Sequence, residues 1–300
     1  HKIGISSNQF LNDLPDLVKA QGEPFGSSSI YAQYAVFSHA KRLGYKVMIE
    51  GQGADELLLG YTGYPHAVIL NMLAELQPIK ALKYLKNWSH VNKMNSTSLL
   101  PTIIGRLISP NLKYHLKAKR INEKYGLFDE VYDRPADTFD IKPQFKSYLK
   151  DEMRSSLTGG IGLTHLLRHS DRNSMRWSVE SRVPFLNTKL ANMILSTDKG
   201  NLFDENAQTK VAMRKAFSDF LPERICNRND KVGFETPERK WLMDNAPKIK
   251  LLIGNCENFD GINIQGFQKY VMSSLDGSIS YDWMTWRILN LIIWRKQNEI

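Results

Sequence analysis

Apolar residues recur every three to four positions along most of the chain, which is the spacing of one buried helix face. The first and last clear examples are "SNQFLNDLPDLVKA" from Ser7 and "SYDWMTWRILNLIIWRK" from Ser280. The same spacing is found in residues 30–44, 67–76, 79–88, 143–157, 187–196 and 209–221. The pattern predicts a chain that is mostly helical after residue 60.

One short segment breaks this helical pattern. "KVMIE", from Lys46 to Glu50, has an apolar centre and follows a helix that ends at Gly44 with basic residues just before it. This order is typical of half a parallel βαβ unit. A lone strand has no hydrogen-bond partners, so we expect an α/β domain with a partial parallel sheet that this chain enters midway. Residues 92–140 are the least regular and are interpreted as an insertion.

The composition is that of a globular domain, with 42% hydrophobic and 24% charged residues among 300. No apolar run reaches the roughly 18 residues of a membrane helix, and the first residues lack a signal-peptide core. We therefore expect one cytoplasmic domain over residues 1–300, with no membrane partner. Cys226 and Cys256 stand in no metal-ligand spacing, and two free thiols are expected.

The net charge of +9 favours anionic partners, either nucleic acid or small anions such as nucleotides. The most basic segments, residues 79–93 and 112–126, alternate lysine with apolar residues at helical spacing. This spacing predicts solvated helix faces. The sequence has no RNA-binding signature or zinc-finger spacing, so we expect no nucleic-acid partner.

The predicted strand runs into the loop "EGQGADE", at the carboxyl edge of the sheet, where α/β proteins usually place their chemistry. Gly51 and Gly53 allow the backbone to approach a ligand closely and to adopt positive φ. Asp55 and Glu56 begin a helix, where carboxylates complement the helix dipole. A tight strand-to-helix turn with an acidic cap would explain the same residues without a ligand.

A second charged stretch, "LLRHSDRNSMRWSVESRVPFLN", places charges among apolar residues from Leu166 onward. Charged groups in apolar surroundings are paired when they are buried, so Glu180 and Arg182 are predicted to form a buried ion-pair network. Asp171 is a better candidate than Glu180 or Arg182 for a role in a binding site.

A third stretch runs from Thr209 to Leu242 and carries basic candidates. Lys210 and Arg214 are four residues apart, which predicts that they share one helix face. Lys231 precedes Gly233 in a loop, a setting that suits a phosphate or a developing negative charge. A solvated loop lysine fits the same pattern.

Three further motifs carry weaker predictions. "LTGGIGL", residues 157–163, lacks GxxxxGKS and a preceding strand, and is interpreted as a helix joint. His165 and His169 form an HxxxH pair without the glutamate of HExxH or a third ligand, so we interpret the spacing as chance and expect no zinc. Ser-His-Asp catalysis has no GxSxG support.

Together these stretches resemble one family, the synthetase domain of glutamine-hydrolysing asparagine synthetases. The family's strand followed by SGEGADELFGGY is similar to "EGQGADELLLGY", and its DRxSM…ExRVPFLD segment to "DRNSMRWSVESRVPFLN". Its KxxxR, LPxxI and KxGFxxP…W segments are similar to "KVAMR", "LPERI" and "KVGFETPERKW". Its DEPF…S segment is similar to "GEPFGSSS". The order agrees, and the resemblance covers nearly the whole chain.

The resemblance implies an ATP-pyrophosphatase fold (adenine nucleotide α-hydrolase-like) and a reaction that uses ATP and Mg²⁺. Aspartate is adenylated on its side-chain carboxylate with release of pyrophosphate, and ammonia from glutamine then gives asparagine and AMP. It further implies that Glu50, Gly51 and Gly53 lie against the adenylate. Asp55 is implied as a Mg²⁺ ligand and, with Glu56 and Asp171, as part of the amino-acid pocket.

The resemblance implies catalytic roles at Lys210, Lys231 and Gln52. The two lysines would contact phosphates or stabilise the adenylation transition state. Gln52 stands where the family has a catalytic glutamate, and Glu50 where it has a serine. An amide can orient ammonia or substrate by hydrogen bonding, but it cannot act as a carboxylate base. The acceptor carboxylate is therefore open, and a related amidotransferase or cyclase acting on a sugar acid or a peptide is the alternative.

The family's pyrophosphate loop, SGGxDS, does not occur in the 300 residues. In the family it lies upstream of the matching region, as does the glutaminase domain. We therefore expect a chain truncated at its N-terminus, which by itself does not turn over ATP. A non-catalytic binding remnant of the fold is a further alternative, and the sequence leaves the oligomeric state open.

Overall fold

The computed structural model is mainly helical and carries one small sheet. It describes residues 1–61, 63–107, 119–121, 123–125, 147–159, 162–228, 233, 235–254 and 263–298. Most of the segment from residue 92 to residue 140, predicted to be irregular, lies outside these residues. No helix in the described ranges is long and apolar enough to cross a membrane.

Two helices precede the first strand. Helix α1 (Ser7–Gln21) begins where the Ser6 hydroxyl accepts the Gln9 amide at 3.1 Å, and it ends at Gly22 in the left-handed region. Helix α2 (Ser29–Arg42) follows and ends with basic residues that complement the helix dipole. Both helices lie where the apolar spacing predicts them.

Strand β1 (Val47–Ile49) pairs in parallel with strand β2 (Glu180–Arg182), with Met48 opposite Ser181. The predicted α/β class with a partial parallel sheet is confirmed. Strand β2 was missed because it has only three residues, two of them charged. The predicted buried ion-pair network is wrong: Glu180 and Arg182 pair with each other on the exposed surface, with Nε and Oε1 3.0 Å apart.

The other helices of the described residues lie on both sides of β2 in the sequence. Those before β2 are α3 (Ala54–Leu57), α4 (Pro65–Ala74), α5 (Pro78–Asn92), α6 (Leu100–Leu107), α7 (Tyr148–Thr158) and α8 (Leu163–Arg176). Those after it are α9 (Thr188–Ser196), α10 (Val211–Ala216), α11 (Glu223–Cys226), α12 (Glu238–Asp244), α13 (Ala246–Gly254), α14 (Ile264–Asp276) and α15 (Trp283–Asn298). Short 3₁₀ turns occupy Ser96–Leu99, Pro184–Leu186 and Lys199–Asn201. Residues 157–163 join α7 to α8, as predicted.

Two apolar clusters form the core. The first gathers α1, α2 and the C-terminal helices around Phe10 and Trp286, both fully buried. The second lies under α3, α4, α5 and α7 and includes Leu57, which is also fully buried. Burial of a large side chain contributes about 1.5–3 kcal/mol. Helix α2 belongs to the first cluster and α3 to the second, so the loop between β1 and α3 is anchored at both ends.

Candidate functional site

The loop that leaves β1 is a tight turn into α3. The amide of Glu50 donates to the carbonyl of Arg182 at 2.8 Å, which extends the pairing with β2 by one residue. The Leu57 amide then donates to the Gly53 carbonyl at 3.0 Å and starts the helix. Residues 50–53 therefore lie at the carboxyl end of a parallel strand, where α/β proteins bind ligands.

The two loop glycines have different reasons to be glycine. Gly53 has φ +89°, and a Cβ there would overlap the side chain of Leu186. Gly51 does not have the predicted positive φ, and the space around its Cα is open. Gly53 thus serves the packing of the turn, while Gly51 exposes bare backbone to solvent.

A cavity of about 550 Å³ opens beside this loop. Its apolar lining comes from α2 and β1 and comprises Val36, Phe37, Met48 and Ile49. Its remaining lining comprises Gln33, Glu50, Gly51, Gln52, Asp55 and Gly233. A volume of this size with an apolar lining and a few polar groups suits a small ligand.

Asp55 reaches the cavity and also makes an ion pair. The Nζ atom of Lys210 lies 2.6 Å from its Oδ1, and both side chains are only partly exposed. The pair packs over Gly60, where a Cβ would overlap Oδ1 of Asp55 and crowd Cε of Lys210. The structure thus brings together two of the residues that the sequence analysis took from separate motifs.

Lys210 is not on a helix face, contrary to the prediction that pairs it with Arg214. It is the residue before α10 and has φ +57°, in the left-handed region. Its amide donates to the Leu58 carbonyl at 3.1 Å, which ties it to the end of α3. This backbone contact places its side chain beside Asp55.

Arg214 binds backbone carbonyls and does not pair with Asp55 as Lys210 does. Its guanidinium donates to the Thr209 carbonyl at 2.7 Å, to the Arg228 carbonyl at 2.6 Å and to the Cys226 carbonyl. Burial lowers the pKa of this guanidinium. Arg214 therefore holds the chain that leads towards Gly233 at the cavity. Lys231, predicted to be catalytic, lies outside the described residues.

Glu50 points inward as well as lining the cavity. The Ser170 hydroxyl donates to its Oε1 at 2.5 Å. The Ser181 hydroxyl donates to the same oxygen, and Gln33 Nε2 donates to its Oε2 at 2.7 Å. The three donors come from α8, β2 and α2. Its carboxylate thus joins three elements, which the sequence analysis did not foresee.

The hydrogen bonds continue from Gln33 through the interior in a single direction. Asn173 Nδ2 donates to Gln33 Oε1 at 3.0 Å and Gln21 Nε2 donates to Asn173 Oδ1 at 2.7 Å. His169 Nδ1 lies 2.6 Å from Gln21 Oε1. Burial lowers the pKa of His169 to about 4, so the imidazole at the start of the chain is neutral at pH 7. Every donor in this hydrogen-bonded row, which runs from His169 to Glu50, points towards the carboxylate.

Glu56, predicted to line the amino-acid pocket, is buried and does not line the cavity. Its Oε1 accepts the Tyr61 hydroxyl at 2.5 Å, and its carbonyl accepts the Tyr64 hydroxyl at 3.0 Å. Burial, reinforced by the bond to Glu56, raises the pKa of Tyr61. These contacts hold α3 in place, so Glu56 supports the site without facing it.

Asp171, also predicted for the amino-acid pocket, lies elsewhere. It is exposed on α8 and lines a separate groove of about 370 Å³ together with Arg168, Arg172 and Arg176. The buried face of the same helix carries Ser170, which contacts Glu50. The structure therefore does not bring Asp171 to the cavity beside the loop.

The donor set at the cavity fits a magnesium ion held mainly by a nucleotide. In the described ranges, no three His, Cys, Asp or Glu side chains converge as a complete metal site. Asp55 offers one carboxylate at the cavity, since the Glu50 oxygens already accept three hydrogen bonds. Mg²⁺ in nucleotide sites commonly takes one or two carboxylates and completes its shell with phosphate oxygens and water.

Four residues of the site were not predicted from the sequence: Gln33, Gly60, Ser170 and Ser181. A signal was present for Ser170, because a polar residue on the apolar side of a helix needs a partner. No comparable signal marks Gly60, whose importance depends on two side chains that meet only in the folded chain.

Comparison with known proteins identifies the family of the chain. The family model described as asparagine synthase matches residues 1–295. The glutamine-hydrolyzing asparagine synthetase 1 of Bacillus subtilis is 26% identical, over 98% of this chain and 47% of that protein. A putative glutamine-hydrolyzing asparagine synthetase of Mycobacterium bovis is 22% identical, over 97% of this chain and 45% of that protein. The chain spans about half the length of these relatives.

A different similarity is also found. A secreted mono- and diacylglycerol lipase of Malassezia restricta is 27% identical, over 64% of this chain and 61% of that protein. The sequence contains no GxSxG motif, which lipases use to present a nucleophilic serine. The asparagine synthase match covers more of the chain and includes the loop, the cavity and both partners of the Asp55–Lys210 pair. The chain belongs to the asparagine synthase family.

Proposed function

We propose that this chain is the synthetase part of an enzyme that amidates aspartate to asparagine. The reaction uses ATP, passes through a β-aspartyl-adenylate and takes ammonia from glutamine. The observation that carries the proposal is the cavity at the end of β1, which is lined by Gly51, Gln52 and Asp55 together with apolar residues of α2 and β1. An adenine ring suits the apolar lining, and the polar groups suit phosphates and an amino acid.

Three of the residues that line the cavity have a specific role in this proposal. Gly51 offers a backbone that the nucleotide can approach, since nothing lies within 4 Å of a Cβ there. Asp55 would hold Mg²⁺, which when bound offsets phosphate charge and orients the nucleotide. Glu50 is fixed by its three donors and sets the shape of the floor beside the adenylate. Lys231 is proposed to join Lys210 at the phosphates.

The Asp55–Lys210 pair gives the nucleotide two complementary charges. In the structure the lysine neutralises the aspartate at 2.6 Å. Lys210 has a flexible side chain, and it can move from the carboxylate to a phosphate oxygen of ATP while Asp55 turns to the metal. The pair thereby keeps both charges in position before the nucleotide arrives.

Glutamine is proposed as the nitrogen donor on the names of the relatives. The two matched synthetases are named as glutamine-hydrolyzing, and this chain covers about half of each. We propose that a glutaminase domain delivers ammonia to the cavity that contains Gln52. The amide of Gln52 can accept a hydrogen bond from ammonia and donate one to the acyl carbonyl.

A second candidate function rests on Gln52. The amide in place of a carboxylate is compatible with a different acceptor, such as a sugar acid or a peptide carboxylate. A substrate panel decides between the two: the native protein is supplied with ATP, glutamine and one carboxylate at a time, and AMP is measured. Aspartate as the best acceptor supports asparagine synthesis, and another carboxylate as the best acceptor replaces it.

The nucleotide site is tested with two lysine variants of the native protein. Lys210→Ala is expected to weaken ATP binding in the presence of Mg²⁺ and to leave AMP binding nearly unchanged, as measured by calorimetry. Lys215→Ala is the matched control, because Lys215 is exposed on α10 and lines no part of the cavity. Equal ATP affinity in the two variants would contradict the proposal.

A further inference from the structure

The HxxxH pair on α8 is an arranged contact, although its spacing was interpreted as chance. The two rings pack edge to face, with their centroids 4.1 Å apart and their planes at 80°. Nε2 of His165 lies 2.9 Å from Nε2 of His169. Two ring nitrogens of the same kind are therefore in contact across a single helical turn.

The proton position on His169 follows from its neighbours. Asn173 Nδ2 donates to the Ile30 carbonyl at 3.1 Å, which fixes the orientation of this amide and makes its Oδ1 an acceptor. Gln21 must then present Nε2 to Asn173 and Oε1 to His169. Since Oε1 can only accept, Nδ1 of His169 carries the proton and Nε2 carries a lone pair. This Nε2 is the atom that contacts His165.

This arrangement matches how proteins prepare a histidine for a metal ion. A metal-ligating histidine generally donates its other ring N–H to an oxygen acceptor, which fixes the tautomer and the ring orientation. Gln21 supplies that acceptor to His169 at 2.6 Å. Both Gln21 and His169 are buried, whereas His165 is partly exposed and leaves a path for an ion from solvent.

We propose that His165 and His169 form a binding site for a borderline divalent cation such as Zn²⁺, with both Nε2 atoms as ligands and water in the other positions. Zn–N bonds of about 2.0–2.1 Å at a tetrahedral angle need nitrogens about 3.4 Å apart. The observed 2.9 Å must therefore open, and the partly exposed ring of His165 must turn out of its edge-to-face contact with His169 so that both lone pairs reach the ion.

The protons balance in this exchange. Without metal, the short Nε2 to Nε2 distance requires one proton between the rings, and it lies on His165 because His169 carries its proton on Nδ1. Metal binding replaces that hydrogen bond. The proton of His165 moves through solvent from Nε2 to Nδ1, so neutral histidines on both sides of the reaction release no proton.

The site is separate from the nucleotide cavity, whose lining contains neither histidine. Two charged side chains lie beside it, Glu23 and Arg168, which form an ion pair with each other. The Glu23 carboxylate favours a cation at the histidines, whereas the guanidinium groups of Arg168 and Arg172 oppose it.

The test uses native protein stripped of metal with a chelator that is then removed. Zn²⁺ is titrated calorimetrically, and the melting temperature is measured with and without Zn²⁺. The wild type is expected to bind one ion per chain at this site and to melt at a higher temperature with Zn²⁺. His165→Ala is expected to lose at least about tenfold in affinity, the scale on which changes around a metal ligand act.

The control is His90→Ala, since His90 is an exposed histidine at the end of α5. It should bind Zn²⁺ as the wild type does. His165→Gln, which keeps the size and polarity of the side chain, checks that any loss is not a folding defect, because its melting temperature without metal should match the wild type. Equal Zn²⁺ affinity in the wild type and His165→Ala, or no binding in the wild type, would overturn the proposal.

Discussion

Nζ of Lys210 lies 2.6 Å from Oδ1 of Asp55, in a space that exists because residue 60 has no side chain. The contact joins the loop after β1 to the residue before α10, two segments that are far apart in the sequence. Gly60 is held there by its amide, which donates to the Asp55 carbonyl at 2.8 Å. The ion pair at the cavity therefore depends on three residues.

Gly60→Ala should destabilise the fold and weaken ATP binding together. The added methyl would overlap Asp55 and displace Lys210, and overpacking of this kind typically costs about 1–3 kcal/mol. Urea unfolding measures the first effect and calorimetry with ATP the second. Gly63→Ala is the matched control, because a Cβ there meets nothing within 4 Å. A similar loss in both variants would show that the space at Gly60 is unimportant.

Glu50→Ala should be destabilising because it removes the acceptor shared by Gln33, Ser170 and Ser181. A buried donor left unsatisfied costs about 1–3 kcal/mol. The comparison is Glu180→Ala, which removes an exposed carboxylate whose ion pair with Arg182 is expected to contribute little to stability because solvent screens it. Equal unfolding free energies for the two variants would contradict the structural role of Glu50.

Gln52→Glu should change the rate and leave the stability nearly unchanged, since Gln52 lines the cavity and is only partly buried. If aspartate is the acceptor, a carboxylate at this position should increase AMP formation, because general acid–base catalysis contributes about 10²–10⁴-fold. The measurement is AMP release by the native protein with aspartate and ammonia. A rate that falls with the glutamate would indicate that the amide itself suits this enzyme's substrate.

The contact between Asp16 and Arg176 should make stability depend on pH in acid. The bidentate guanidinium, with Nε 2.8 Å from Oδ2, holds the pKa of Asp16 below its usual range against the opposing effect of burial. Because the folded pKa is lowered, this stabilisation is present above the unfolded pKa of about 3.9 and is lost as pH falls through the folded value.

Arg176→Gln should therefore lower the free energy of unfolding more at pH 6 than at pH 2.5. Arg172→Gln is the control, because Arg172 lies one turn earlier on the same groove and has no ion pair within the described part of the chain. Urea unfolding at the two pH values gives the comparison. A destabilisation by Arg176→Gln that is the same at both pH values would refute the coupling.

The sequence allows prediction of α1, α2, β1 and the loop, because local periodicity and glycine spacing specify them. It also brings Asp55 and Lys210 into one site through their separate motifs. The strand Glu180–Arg182 escapes prediction because three residues carry too little pattern, and its pairing with β1 depends on contacts distant in sequence. Because so short a strand carries little pattern, the sequence also predicts a buried position for Glu180 and Arg182, which are exposed.

The direction of a side chain is harder to predict than its position. Glu56 and Asp55 are neighbours at the start of α3, yet one is buried against Tyr61 and the other reaches the cavity. On a helix this short, the choice is made by the burial of Leu57 beneath it. Asp171 and Ser170 are also neighbours, on α8, and their side chains point to different places. Ser170 contacts Glu50, whereas Asp171 lines the separate groove.

The row of hydrogen bonds from His169 to Glu50 has one further consequence. Donors and acceptors alternate without a break, so turning one amide over would force each of its neighbours to turn. The Glu50 carboxylate at one end accepts the last bond and therefore selects the tautomer of the imidazole at the other end. Glu50 at the cavity and His169 in the histidine pair do not touch, yet the direction of the hydrogen bonds between them is set for both together.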